Sequence, residues 1–228
     1  MKSRVLLSPN QDGTAGAVVP SLPPHVGWAA SRSRTPANSG TPTGVPHCAR
    51  LPHTGSHPVH VTLRAAIRCL RSERVFPVVR RALAAASCAG FRVVHFSVQD
   101  EHIHLLVEAD DKTALTRGLR GLTIRVARGV NRVLCRRGPV WNDRYHVRQL
   151  TTPREMRHAL VYVLMNRHKH RPGEAPLDPC SSATWFDGWR QQLDETPGPP
   201  PVVRPRTWLA AVGWRRHGLL SFAERPRS

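Results

Sequence analysis

Where this chain keeps its prolines limits what it can fold into more than any other feature. Of 21 prolines, nine lie in residues 1–58 and nine in 171–228, leaving Pro77, Pro139 and Pro153 for the whole of 59–170. Proline fixes φ and has no backbone N–H to donate, so the interiors of regular elements exclude it. An ordered domain is therefore expected over 59–170. Residues 1–58, with Ser, Thr and Gly between the prolines and Asp12 as their one acid, read as a disordered basic leader. Residues 171–228 read as an extension that holds Trp185, Trp189, Trp208 and Trp214, with a stiff polyproline linker at TPGPPPVVRPR (196–206).

Inside 59–170 the hydrophobic period alternates between two and about 3.6 residues. Val59, Val61, Leu63 and Ala65 alternate with His60, Thr62 and Arg64, the pattern of a half-buried strand. A helix is predicted from about Glu73 to Ala89, with Pro77 near its first turn and Gly90 as its stop. FRVVHFSV (91–98) and HIHLLVEA (102–109) form a tight antiparallel hairpin. The clearest helix runs from about Lys112 to Arg137, with Leu115, Leu119, Leu122, Val126, Val130 and Val133 on one face. YHVRQL (145–150) is a short fourth strand. Thr152-Pro153 opens a last helix to about His170, with Glu155 behind its cap. The order β-α-β-β-α-β-α implies an α+β fold of the ferredoxin-like (split βαβ) kind, an antiparallel sheet with two helices on one face.

Charge narrows the partner. The chain has 34 Lys and Arg against 15 Asp and Glu, a net +19, and 59–170 alone carries 21 basic and 8 acidic residues. A polyanion, most simply nucleic acid, suits this excess. Of the basic residues 31 are Arg, which a GC-rich genome explains; the shortage of acids it does not. Arg117, Arg125, Arg128, Arg132 and Arg136 share the polar face of the long helix, either as phosphate contacts or as a solvated surface. No apolar run approaches the roughly 18–20 residues that span a bilayer, and the start lacks the apolar stretch of a secretory signal. The five cysteines are scattered and never form C-x-x-C, which fits a reducing cytosol rather than a disulfide framework or a zinc site.

His102 and His104 alternate around Ile103, so they share one strand face, roughly 6–7 Å apart along the strand. In a chain with 13 histidines, such a pair by itself is either a cation site or chance. On the last helix His158, Tyr162, Asn166 and Lys169 or His170 fall on one stripe, apart from the apolar Met156, Leu160, Val163 and Leu164. Trp141 and Tyr145 read as base-stacking partners or core anchors, and RTWLAAVGWRRHGLL (206–220) as a basic amphipathic helix, either a DNA-binding accessory or a cap.

In their order and spacing, VHVTLR (59–64), QDEHIHLLVEAD (99–110), GPVWNDRYH (138–146) and ALVYVLMN (159–166) resemble the single-tyrosine HUH transposases of small insertion sequences and their REP-associated relatives. The resemblance implies that Tyr162 is the nucleophile and that His102, His104 and Asn166 hold a divalent metal, Mg²⁺ or Mn²⁺, with Zn²⁺ also compatible. Lys169 and the Arg stripe would contact DNA. It further implies a homodimer acting on single-stranded DNA with hairpin ends, in a bacterial cytoplasm, with no membrane partner and no small-molecule substrate. Where REP-associated relatives commonly follow the Asn with Pro, this chain has Arg167. A domesticated relative that binds hairpins without cutting is the alternative, and its mark would be loss of one of these four residues; all four are present.

Overall fold

A computed structural model describes residues 53–167, 177–193 and 198–226. Its elements are β1 (Val59–Arg64), α1 (Phe76–Ala84), β2 (Phe91–Val98), β3 (His102–Ala109), α2 (Lys112–Val133), β4 (His146–Gln149), α3 (Pro153–Leu164) and a short α4 (Trp208–Ala211). The four strands make one antiparallel sheet in the order β2-β3-β1-β4. That is the expected α+β arrangement. α1 and α2 end earlier than their periodicity suggests, and the last helix is broken at Met165–Asn166, the rest of its expected length lying largely outside the described residues. α1 is trimmed to nine residues around Pro77, and α2 stops four residues before Arg137, where Cys135 takes a positive φ of 49°. α3 ends at Leu164, so Asn166 lies just beyond it.

The period-two pattern of the central strands separates two cores. Val59, Val61 and Leu63 of β1 and Ile103, Leu105 and Val107 of β3 pack against α1 and α2. The intervening residues point the other way, where Leu106 joins Met156, Leu160, Val163 and Leu164 of α3. α1 and α2 thus cover one face, and α3 takes the opposite one. Trp189 and Trp214 of the C-terminal segment complete the second core, with Trp214 buried to 1 %.

That segment also closes an edge. The Val98 N–H donates to Cys180 O, Ser182 N–H to Phe96 O and Val203 N–H to Val93 O, so residues 180–203 line the outer side of β2 where they are described. The stretch read as a stiff polyproline linker is accordingly held against the sheet along 198–206. Glu108, 4 % exposed, accepts hydrogen bonds from the backbone N–H groups of Arg206 and Thr207 and from the Thr207 hydroxyl, and Arg92 pairs with it at 3.5 Å. Just before β1, residues 53–58 are tied in: Thr54 bridges to Asp111, and Pro58 O accepts from Leu150 N–H. The basic helix expected over 206–220 is instead α4 followed by a 3₁₀ turn at Gly213–His217, ended by Gly218 at φ 84°. Among the described residues no helix is long and apolar enough to cross a membrane.

Candidate active site

β3 is a central strand, and its register sets His104 opposite Thr62 of β1 and Ser97 of β2. His102 and His104 lie on the α3 side, their rings stacked at 17° with centroids 6.1 Å apart. His104 is 7 % exposed and its Nδ1 is hydrogen-bonded to the Thr62 hydroxyl at 3.1 Å, which fixes the ring plane. His102 is more open, with Glu101 4.0 Å from its Nδ1, and Glu101 in turn pairs with Arg68 at 3.0 Å.

α3 delivers the tyrosine. Thr152 and Glu155 form a reciprocal capping box and Pro153 opens the first turn, so the helix start is built into the sequence. Hydrogen bonds from Thr151 and Thr152, together with Arg148, hold the Glu155 carboxyl down at about 2. From this start Tyr162 comes two to three turns later onto the sheet, edge-on to His104 with ring centroids 5.1 Å apart. Thr152→Ala is expected to cost about 1 kcal/mol of stability, read as a fall of about 2–4 °C in melting temperature.

A third imidazole belongs to this cluster. His60 on β1 packs edge-on to Tyr162 at 5.4 Å and lies 5.6 Å from His104. Burial, with Arg148 nearby, lowers its pKa to about 4, so the ring is neutral, and its buried Nε2 has no partner. Strand alternation puts His60 on the same side as Thr62, and that was the available signal. Only the pairing of β1 with β3 shows that it meets Tyr162.

Asn166 is 1 % exposed, and neither its amide oxygen nor its amide nitrogen has a hydrogen-bond partner. An orphaned buried amide is costly, and a ligand that it would hold accounts for it. Among the described residues no group of three or more His, Cys, Asp or Glu is placed to hold an ion. The residues that would hold the implied cation are His102, His104 and the Asn166 amide oxygen; the amide oxygen is the donor type that suits Mg²⁺ or Mn²⁺, while the imidazoles are the type that suits Zn²⁺.

The histidine pair lines a cavity of about 430 Å³ together with Arg68, Arg71, Gln99, Asp100, Glu101 and Arg167. Behind it Arg71 makes a bidentate bond to Asp178 at 2.7 Å, and Arg167 approaches the same carboxylate at 3.7 Å. Arg167 is thus part of a buried cationic wall. Tyr162 and His60 line a second cavity of about 440 Å³ with Arg148, Glu155, Arg157 and His158, and with Glu224 and Arg225 from the C-terminal segment. The tyrosine and the pair touch, but they open onto different cavities.

The Arg stripe stands elsewhere. Arg117, Arg125, Arg128 and Arg132 are exposed on the outside of α2, across the sheet from Tyr162; Arg125 and Arg132 flank a groove of about 410 Å³ between α1 and α2. Arg136 does not join them. It is half-buried and donates to Pro139 O, because α2 has already ended and the chain turns back. Trp141 is a core anchor whose Nε1 donates to Thr123 O, and Tyr145 packs against the same core. Lys169 lies outside the described residues, as do His168 and His170.

No family model matches this chain, and no curated protein matches it. Solved structures do. A REP-associated tyrosine transposase bound to a REP hairpin superposes with a TM-score of 0.49 at 16 % identity, over 60 % of this chain and 82 % of its own. A Deinococcus radiodurans R1 protein described as a candidate transposase gives a TM-score of 0.36 at 19 % identity, over 41 % of this chain and 78 % of its own. These are likenesses of fold; the chemistry rests on the residues themselves.

Proposed function

We propose that the chain is a DNA strand transferase that cuts and rejoins single-stranded DNA at hairpin-bearing ends through Tyr162. The observation that carries this is the Tyr162 ring set edge-on against His104, on the strand that also presents His102, with the orphaned Asn166 amide one turn further on. A phosphodiester resists attack because its anionic oxygens repel a nucleophile. His102, His104 and the Asn166 amide oxygen would hold a divalent cation, which when bound would supply neutralising charge and Lewis-acid polarisation at the phosphate. The Tyr162 Oη–P bond forms as the P–O3′ bond breaks, and the phenol proton ends on the departing 3′ oxygen. The product is a 5′-phosphotyrosine and a free 3′-hydroxyl. The ester keeps the bond energy, so a 3′-hydroxyl can reverse the attack and join strands.

Burial raises the Tyr162 pKa, so the resting phenol is protonated and becomes a nucleophile only with substrate and counter-charge in place. His60 and His104 grip its ring from two sides. Tyr162 and the histidine pair line different cavities, so in this reading the phenol reaches the scissile phosphate from the second cavity, beside His104. The exposed Arg117, Arg125, Arg128 and Arg132 hold hairpin-stem phosphates on the far face. Since each chain supplies one tyrosine and an element has two ends, the working unit is a homodimer.

The test uses the full chain, a hairpin-bearing single strand drawn from inverted repeats beside its gene, and Mg²⁺ or Mn²⁺. The expected result is a covalent protein–DNA adduct that survives denaturing electrophoresis and maps to Tyr162. Tight hairpin binding with no adduct under any of these conditions would replace this reading with that of a binding protein.

A further inference from the structure

The C-terminal segment has an outer face that the core does not explain. Leu209, Ala210 and Trp214 are buried, but Trp208 is 49 % and Val212 55 % exposed, although they share the same short helical unit. Trp208 is nonetheless held in place. The unit begins at Thr207, whose side chain caps α4 and is itself fixed by the buried Glu108. A Cβ at Gly213 would sit 2.7 Å from the Trp208 ring, so the backbone lies directly against it, and the Arg216 guanidinium lies 4.8 Å from its centroid. A large aromatic that is rigid and half exposed is suited to stacking.

The segment that carries it is basic, with Glu108 buried beneath Thr207 and Asp187 paired to Arg215. From 198 to 223 the chain contains Arg204, Arg206, Arg215 and Arg216 and no acid. Arg215 is committed to Asp187 at 2.9 Å, while Arg216 lies over the Trp208 ring and Arg204, Arg206 and His217, within nine residues of it in sequence, are exposed. A second copy of this chain, at +19, would meet like charge here. A polyanion with free π faces meets opposite charge and a stacking surface together, and the bases of a duplex are already stacked on each other. The unit also stands on α3: Trp214 packs with Leu160 and Leu164, and Arg157 of α3 donates to Gly218 O and Leu219 O. It is therefore anchored to the helix that carries Tyr162.

We propose that Trp208, with Arg204, Arg206 and Arg216, forms a landing platform for an unpaired DNA strand, one base stacking on the indole and the neighbouring phosphates on the arginines. The platform rests on the strand-transferase reading only for its purpose, which is to hold the unpaired flank of the DNA that Tyr162 cuts. It does not rest on that reading for its existence.

The test measures affinity of the full chain for a fluorescent oligothymidylate, which has no hairpin, across a salt series. Trp208→Ala should weaken binding by about 10-fold and Trp208→Phe should restore most of it. Glutamine at 204, 206 and 216 together should lower the salt slope by about 2–3. All three variants lie on the surface, so their melting temperatures should stay close to the parent's. Unchanged oligothymidylate affinity in Trp208→Ala overturns the platform, as does a Trp208→Ala effect seen only on self-association or on anionic vesicles. An absent tyrosine adduct sinks the transferase reading alone, because this binding needs neither metal nor cleavage.

Discussion

Phenylalanine at position 162 should abolish the covalent adduct completely while leaving hairpin affinity and folding intact. The change removes one hydroxyl and keeps the ring. The edge-on contacts with His60 and His104, at 5.4 and 5.1 Å between centroids, are made by the ring and survive in the variant. A partly buried hydroxyl contributes about 1 kcal/mol or less to stability, so the melting temperature should move by only a few degrees. All the arginines proposed to contact phosphates remain. Loss of the adduct with retained binding, read on one gel and one titration, separates chemistry from recognition. An adduct that persists in Tyr162→Phe would move the nucleophile to another residue, and Tyr145 is the one other tyrosine in the chain.

Asp178→Ala should be among the most damaging single changes to the fold, costing about 3–5 kcal/mol and lowering the melting temperature by about 6–20 °C. The Asp178 side chain is 1 % exposed, and Arg71 and Arg167 beside it are 11 % and 14 % exposed. Removing the carboxylate leaves two guanidinium groups facing each other with little water to screen them. It also strips the Cys180 N–H of its acceptor at 3.0 Å, and Cys180 anchors the segment that closes β2. Asp178→Asn keeps the shape and one acceptor oxygen and should fall between alanine and the parent. A melting temperature unchanged in Asp178→Ala would mean that water already solvates the two arginines. The same variant should weaken the cavity of the histidine pair, because Arg71 and Arg167 both line it.

Much of this was legible from residue order. Strand alternation correctly put His102 and His104 on one face, with Ile103 in the core, and the 3.6-residue period found the buried side of α2. Thr152-Pro153 with Glu155 located the start of α3 to the residue, since a capping box is local chemistry. What stayed hidden depends on contacts between distant parts of the chain. His60 meets Tyr162 because β1 and α3, about a hundred positions apart, pack together. Asp178 reaches Arg71 across 107 positions. The C-terminal tryptophans left open whether their segment docks, because a buried Trp214 and an exposed Trp208 have the same local pattern. Arg136 was misplaced for a simpler reason: helical spacing was extended past the point where α2 ends.

The sheet's edges are unequal. β2 is bordered by residues from the 180–203 stretch, whereas β4 is four residues long and has no further strand beside it among the described residues. A polymer that touched the arginines outside α2 and the tyrosine under α3 cannot pass through a hydrogen-bonded sheet, so it has to go around its rim. The β2 side is fenced. Among the described residues the β4 side has no further strand; Arg148, paired with Glu155, stands on β4 itself and Arg144 just before it. A single strand is supple enough to take that hairpin bend, whereas a duplex with a persistence length of about 150 base pairs is not. On the proposed function, the backbone hydrogen bonds that border β2 would thus leave a bending single strand only the route past β4.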